Sequence, residues 1–356
     1  MKSLTGPQSR LTIGRGARLA LPVAAALLLA ACQAGDFAVE PKHLRPLSYA
    51  AQERLQDLGM NKTAPIMMRI YKQESELEIW KEGASGRYEL FKSYEICRWS
   101  GELGPKYKEG DRQAPEGFYE VTPALMNPNS KYYLSFNLGF PNPFDQAHDR
   151  TGSHLMVHGA CSSAGCYAMT DEQMQEIYSM AREAFRGGQE SFQVQAFPFR
   201  MTPENFVKHR NNEHYAFWKM LKDGHDHFDA VGRPPKLDVC EGQYVFNGIL
   251  DDEDDTFEAR ESCPAYTVPD GIATEVAKLQ AEYESGVTAI LDDIQARMER
   301  AEKWEQRGEA VANMLTFGGL GKSNEAPDPE AVSDEDAAAN AEEAGEPVTA
   351  EPAATE

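Results

Sequence analysis

Positive charge is in short supply in this sequence, and the shortage excludes one large class of function. The 356 residues include 35 Lys and Arg against 57 Asp and Glu, for a formal net charge of −22. Nucleic-acid binding depends on clustered cationic side chains that neutralise phosphates. We therefore expect no nucleic-acid partner, while a hydrophobic content of 41% is enough for a packed globular core.

The N-terminal region lacks an apolar run of the roughly 20 residues that a membrane-spanning helix needs. It has instead a basic, acid-free leader and a shorter apolar run at 19–31, which is the pattern of a secretory signal. The run ends in Leu29-Ala30-Ala31-Cys32, which resembles a bacterial lipobox; the alternative is an ordinary signal peptide that happens to contain a cysteine. The lipobox interpretation predicts a signal peptide at 1–31, acylation of Cys32 and a lipid-anchored protein at the periplasmic face of a bacterial cell envelope.

The region after the leader is predicted to be α+β. Residues 32–60 form a tether that leads into a short helix. Short β-rich runs separated by Gly, Ser and Asn follow from Pro65 and predict an antiparallel meander. Thr170 and Gln173 form a capping box for a helix that ends at Gly187-Gly188. We therefore predict a β-rich catalytic domain at 60–250 with flanking helices.

The C-terminal part of the chain has a different pattern. Apolar residues recur every three or four positions from Ile272 to Ala301, which predicts one long amphipathic helix at 269–317 with a break near Gly286. The apolar stripe of this helix needs a partner, either the domain or another chain. Residues 322–356 are mostly Ala, Glu, Asp and Pro, and this composition buries too little apolar surface to fold, so we predict a disordered acidic tail.

The stretch from Gly152 to Asp171 contains the residues best suited to chemistry. An apolar strand ends at His158, and a loop of small residues leads from there to Cys166, just ahead of a helix. An imidazole near a thiol can take its proton, and the field of a helix N-terminus lowers the pKa of a thiol, so both predict a reactive Cys166. Backbone N–H groups around Gly165 and Cys166 could hold a developing oxyanion.

Other interpretations of Cys166 remain open from the residues alone. It could be a small buried apolar residue, it could pair with Cys161, or it could bind zinc together with Cys161 and His158. The spacing of the two cysteines does not match the close pairs of zinc ribbons, and the sequence has no second close pair. We therefore predict no metal.

Two further patterns call for interpretation. Cys240 and Cys263 flank the acidic run at 251–255, and a disulfide between them is plausible outside the cytoplasm, although sequence alone does not fix the connectivity. His225-Asp226-His227 resembles a metal-binding trio, but we predict that it lies in a solvated loop.

The motifs around Cys166 resemble a known family. His158-Gly159 followed by Ser163-Ala164-Gly165-Cys166 resembles the signature of the YkuD-type L,D-transpeptidases, and the short gap between its halves resembles the YafK-like branch. The segments at 110–119, 140–145 and 150–153 also resemble family segments, so that the resemblance covers about 60 to 200. It implies a β-rich fold, no cofactor, and acyl transfer through a thioester at the meso-diaminopimelate of peptidoglycan stem peptides.

The resemblance also implies roles for single residues. Cys166 is the nucleophile, His158 is the base, and the carbonyl of Gly159 orients the imidazole. We assign Gly165, Ser163 and Arg150 to oxyanion and substrate binding.

One position departs from the family pattern. Many members have His where this chain has Ala164, and the departure favours the YafK-like branch, which is associated with cutting the bond between peptidoglycan and an attached lipoprotein. The predicted activity is therefore L,D-transpeptidation, with two alternatives: a hydrolase that releases a peptidoglycan-linked lipoprotein, and an envelope protein that binds peptidoglycan without catalysis.

Overall fold

The computed structural model describes Gly6 and residues 40–317, so the predicted signal peptide, Cys32 and the predicted tail at 322–356 lie outside the described residues. The strands are β1 (Ile66–Tyr71), β2 (Glu76–Glu82), β3 (Tyr88–Glu95), β4 (Arg98–Trp99), β5 (Gly117–Val121), β6 (Met126–Asn127), β7 (Ser135–Asn137), β8 (Met156–His158), β9 (Tyr167–Ala168), β10 (Phe192–Phe197), β11 (Leu237–Cys240), β12 (Gln243–Phe246), β13 (Ile249–Leu250) and β14 (Tyr266–Thr267). The helices are α1 (Tyr49–Asp57), α2 (Pro143–Ala147), α3 (Asp171–Arg186), α4 (Pro203–Lys208), α5 (Tyr215–Val231) and α6 (Asp270–Phe317), with 3₁₀ turns at Lys42–Leu44 and Pro123–Leu125. The predicted α+β class is confirmed.

Two five-stranded sheets form the frame of the domain. The first sheet has the order β3-β2-β1-β10-β5, and the second has the order β4-β9-β8-β7-β6. The meander β1-β2-β3 is antiparallel, as predicted, but β10 pairs parallel with β1, and β9 pairs parallel with β8. The predicted meander is therefore confirmed for β1-β2-β3, and β10 pairs outside it, where α3 carries the chain from the second sheet back to the centre of the first.

One hydrophobic cluster contains residues from both sheets and from α3. Strands β1 and β10 are buried along their whole length, which is expected of central strands covered on both faces. Helix α3 begins with the predicted capping box, in which the Thr170 side chain accepts from the Gln173 backbone N–H. Representative members of this cluster are Met68, Ile70, Phe136, Val157, Tyr167, Ile177, Met180 and Val194.

The described part of the predicted tether belongs to the folded domain. Leu47, Ala51, Leu55 and Met60 are buried in the same cluster. The side chain of Ser48 caps α1 by accepting from the Ala51 N–H at 3.1 Å. The domain therefore begins well before residue 60, because apolar residues on one face of α1 cover the edge of the core.

The chain divides into two compact units between Ile294 and Gln295. In the first unit, Val276 and Tyr283 of α6 are buried. The predicted helix at 269–317 is present, but the predicted break near Gly286 is not: a Cβ on Gly286 would lie 2.8 Å from Pro203 Cγ, so the glycine permits close packing. No helix among the described residues combines the length and apolarity needed to cross a membrane.

The prediction of a solvated loop at His225-Asp226-His227 is wrong. The three residues lie inside α5, and burial lowers the pKa of both histidines. His225 Nε2 is 3.3 Å from Arg69 Nη1, and Asp226 is paired with Lys222 at 2.6 Å. The segment is buried because the neighbouring Gly224 lets α5 pack directly against the rings of Phe118 and Phe246.

Candidate active site

The ends of β8 and β9 bring His158 and Cys166 together on one face of the second sheet. The parallel register pairs Val157 with Tyr167 and His158 with Ala168, and Cys166 immediately precedes β9. Side chains alternate along a strand, so Cys166 and His158 lie on the same face, with Cα atoms roughly 8 Å apart from the usual spacings within a sheet. An imidazole and a thiol that point toward each other can bridge a separation of this size.

The imidazole of His158 has a defined tautomer. Nδ1 lies 2.6 Å from the carbonyl oxygen of Gly159, and because a carbonyl only accepts, Nδ1 carries the proton and Nε2 carries the lone pair of the neutral ring. Burial lowers the pKa of His158, and the hydrogen bond to Gly159 opposes this only in part. The ring of Tyr132 packs against it with 4.8 Å between centroids. His158 is therefore a neutral imidazole whose orientation is fixed by Gly159 and Tyr132.

Cys166 has a free, half-buried thiol. Its Sγ donates to the carbonyl of His154 at 3.6 Å. Burial raises the pKa of the Cys166 thiol, while a backbone hydrogen bond from Met156 and the charge of Lys106 act in the other direction. The expectation of a lowered pKa is therefore wrong, and the resting pair is a thiol with a neutral imidazole.

The helix N-terminus that was expected to activate the thiol lies elsewhere. Strand β9 separates Cys166 from α3, which begins at Asp171. The Asp171 carboxylate instead accepts from the Ala160 N–H at 2.8 Å. A Cβ on Gly159 would lie 2.6 Å from this carboxylate, so the residue after His158 must be glycine for the turn to close.

The loop between β8 and β9 is short and constrained. Neighbouring parallel strands are usually joined by a dozen or more residues. Here the connection is shorter, and Ala160, Cys161 and Gly165 take positive φ to complete the turn. Cys161 forms a disulfide with Cys97, so it neither pairs with Cys166 nor supplies a thiolate for zinc. A second disulfide joins Cys240 and Cys263, as the sequence suggested. Among the described residues no three candidate ligands cluster as a metal site.

Ser163 and Gly165 shape the loop that presents the thiol. The Ser163 hydroxyl accepts from the Cys166 N–H at 3.1 Å and the Gly165 N–H at 3.3 Å, and it donates to the Cys166 carbonyl at 2.7 Å. A second hydroxyl, that of Ser100, donates to Ser163 at 2.8 Å. The two N–H groups that we expected to face an oxyanion are therefore occupied by Ser163 in this conformation.

Arg150 lies in a different environment from the one expected of a substrate-binding residue. Its side chain is buried, and its Nη1 lies 2.9 Å from Oδ1 of Asp145, a residue of α2. Its guanidinium also lies over the rings of Phe144, Phe217 and Tyr107. These contacts place Arg150 in the support of the 141–150 segment, and its assignment to substrate binding stays a prediction.

The loop at 106–113 lies against Gly165, the residue before Cys166, and was not recognised from the sequence as part of the candidate site. Asp111 accepts from the N–H groups of Tyr107, Lys108 and Gln113, each at 3.0 Å, and also from the ammonium of Lys106. Burial alone would raise the pKa of Asp111, but these hydrogen bonds outweigh it and hold the pKa below its usual value. The Gly110-Asp111 motif was the available signal, and the structure shows that it fixes a loop.

A buried ion pair supports this loop from beneath. Lys72 and Glu116 are fully buried and 3.0 Å apart. Glu116 also accepts from the Gly104 N–H at 2.7 Å and from the indole of Trp218 at 2.8 Å. Tyr167 follows Cys166 in the chain, and its hydroxyl donates to the Pro115 carbonyl at 2.6 Å. The family segment at 110–119 thus links the site to the buried Trp218.

The chain is similar to proteins of one family. Residues 61–195 match the YkuD family, described as the L,D-transpeptidase catalytic domain. Over 190 residues the chain is 42% identical to "Putative L,D-transpeptidase YafK" of Escherichia coli K12, covering 53% of this chain and 77% of that protein, and the same values hold for strain O157:H7.

Solved structures give weaker matches. The helical cell shape determining protein Pgp2 of Campylobacter jejuni is 17% identical with a TM-score of 0.31, covering 53% of this chain and 67% of Pgp2. Bd1075 of Bdellovibrio bacteriovorus is 19% identical with a TM-score of 0.28, covering 48% of this chain and 61% of Bd1075.

Proposed function

Because this chain belongs to the YkuD family of L,D-transpeptidase catalytic domains, we propose that it is a cysteine acyltransferase acting on peptidoglycan stem peptides at meso-diaminopimelate. One observation carries the proposal: a free thiol and an imidazole with an available Nε2 lie on the same face of neighbouring strands. Among the described residues the other cysteines are consumed in disulfides, so Cys166 is the thiol left for covalent chemistry.

The proposed reaction has two steps, acylation of Cys166 and transfer of the acyl group. In the first, His158 Nε2 takes the proton of the Cys166 thiol, Sγ bonds to the substrate carbonyl carbon, and the amide C–N bond breaks as the imidazolium returns the proton to the leaving amine. In the second, an acceptor amine or water attacks the thioester and restores the thiol. The carbonyl of Gly159 keeps Nδ1 protonated throughout and so directs Nε2 toward the sulfur.

The second step decides between transpeptidation and hydrolysis. Residue 164 is an exposed alanine where many family members have histidine, so this chain lacks an imidazole that would deprotonate an incoming amine there. This observation favours a second candidate function: hydrolysis of the same acyl-enzyme, with a peptidoglycan-linked lipoprotein as substrate.

We also propose that the enzyme is anchored by acyl chains on Cys32 at the periplasmic face of the cell envelope. The support is the small-residue sequence before Cys32 and the basic leader. A Cys32→Ser variant should remain unprocessed or become soluble. Partition of the processed variant into detergent would contradict the anchor.

Product analysis tests the proposed activity. Tetrapeptide muropeptides and lipoprotein-linked muropeptides are incubated with the enzyme, with and without an amine acceptor, and the products are identified by mass spectrometry. A transpeptidase gives a cross-linked product that depends on the acceptor, and a hydrolase gives a shortened or released peptide in either case. Absence of any product dependent on Cys166 would leave the non-catalytic peptidoglycan-binding protein as the correct alternative.

A further inference from the structure

Lys106 is a buried cation at the edge of the nucleophile. Its side chain is only 4% exposed. A Cβ on Gly152 would lie 2.6 Å from Lys106 Cε, so the lysine stem runs directly over this glycine. Two residues further along, the carbonyl of His154 contacts Cys166 Sγ. Lys106 therefore lies against the segment that touches the sulfur.

The same loop touches the other side of the nucleophile. A Cβ on Gly165 would lie 3.6 Å from Arg112 Cα, which places the end of the 106–113 loop against the residue before Cys166. The ammonium of Lys106 donates to the Asp111 carboxylate and, at 2.9 Å, to the carbonyl of Lys108. An ammonium has three donors, so among the described residues one N–H remains without an acceptor.

Burying a lysine is costly, and an ion pair in such a place is often no more stabilising than apolar residues of the same shape. The charge therefore needs a reason other than stability. We propose that Lys106 is a positioning residue of the acyl-transfer reaction: its buried ammonium, held in place by Asp111, stabilises the negative charge that develops at Cys166. The inference deepens the proposed function and rests on it.

The effect of the Lys106 charge on the Cys166 thiolate can be separated from the role of His158. Lys106 contributes the positive charge that favours the Cys166 thiolate, whereas His158 is neutral and is the proton acceptor. The carboxylate of Asp111 partly offsets the ammonium. The titratable and charged groups near Cys166 are His154 and His158 around β8, Tyr167 in β9, and Lys106, Asp111 and Arg112 in the loop.

The test measures the pH dependence of Cys166 alkylation by iodoacetamide, followed on the Cys166 peptide by mass spectrometry in the folded full chain. Lys106→Met should raise the midpoint by about one pH unit, as expected for loss of a nearby opposite charge, and should lower turnover at neutral pH about tenfold. Lys106→Arg should restore most of both. Lys108→Met, an exposed lysine in the same loop, is the matched control and should change neither.

A second variant keeps the test informative if Lys106→Met does not fold. Asp111→Asn keeps a carbonyl oxygen that can accept from the Lys106 ammonium and removes the counter-charge, so the midpoint should move down instead of up. Equal midpoints in wild type and a folded Lys106→Met, or movement of both variants in the same direction, would overturn the proposal in favour of a structural role. Alkylation needs no substrate, so its outcome is independent of whether the proposed activity is correct.

Discussion

The two sheets of the domain differ in how their strands are held. Strands of the first sheet have 5 to 8 residues, and their pairing supplies long hydrogen-bonded ladders. Strands of the second sheet have 2 or 3 residues. The second sheet nevertheless presents Cys166 and His158, and its geometry is fixed by a disulfide, by Ser163 and by Asp171. The proposed chemistry thus depends on cross-links between loops, while the first sheet provides the packed support.

We expect the largest difference between the two sheets when the proposed base, His158, is substituted. His158→Ala should lower turnover on the order of 10²–10⁴-fold, the range for a positioned proton-transfer group, with little change in the first sheet. Steady-state kinetics and thermal melting measure the two effects. His154→Asn is the matched control: it retains the backbone carbonyl that contacts Sγ, and Asn tolerates the positive φ of this position. An equal loss in both variants would argue against His158 as the base.

The two disulfides give a finer comparison. Removal of Cys97–Cys161 by paired alanine substitutions should cost about 2–4 kcal/mol of stability and should also lower activity, since this bridge holds the loop before Cys166. Removal of Cys240–Cys263 should cost stability of similar size and leave kcat nearly unchanged. Denaturant melts and kinetics at a temperature where both variants are folded check this. Loss of activity only when Cys240–Cys263 is removed would contradict these roles for the two disulfides.

A smaller effect is expected from pH. Because burial lowers the pKa of His158, the folded protein binds fewer protons there than the unfolded chain, so this group's contribution to stability is lost as pH falls below about 6.5 and through the folded pKa. The same protonation removes the base, so kcat/KM should fall on the acid side with a midpoint below 6.5. Melting curves of wild type and His158→Ala between pH 5 and pH 8 should converge at the acid end. Parallel curves would contradict the assignment.

The first sheet was predictable because its signals are local. Runs such as 66–71 and 192–197 are long and rich in β-forming residues, and the capping box at Thr170 specifies the start of α3 without tertiary information. The long helix α6 follows from its repeat of apolar residues. The register of the second sheet was not predictable, because strands of two or three residues have no measurable periodicity.

The site itself was predictable only in its motif residues. His158, Gly159 and Cys166 are named by the signature, and their chemical roles stay a prediction. The partner of Cys161 lies 64 residues away in sequence, and the bonds of Ser163 and the burial of Lys106 arise only once the 106–113 loop has packed against Gly165. Arg150 shows that a motif residue can have contacts that the sequence does not reveal. It lies in a family segment, but its guanidinium pairs with Asp145 and lies over aromatic rings.

The proposed function requires a thioester acyl-enzyme at Cys166, beside the second sheet. The most direct measurement is mass spectrometry of the full chain, quenched in acid during turnover of a tetrapeptide muropeptide, followed by peptide mapping. We expect a mass increase equal to the substrate acyl group on the peptide that contains Cys166, and neither adduct nor product with a folded Cys166→Ala variant. Product formation by Cys166→Ala, or an acyl group on a different residue, would contradict it.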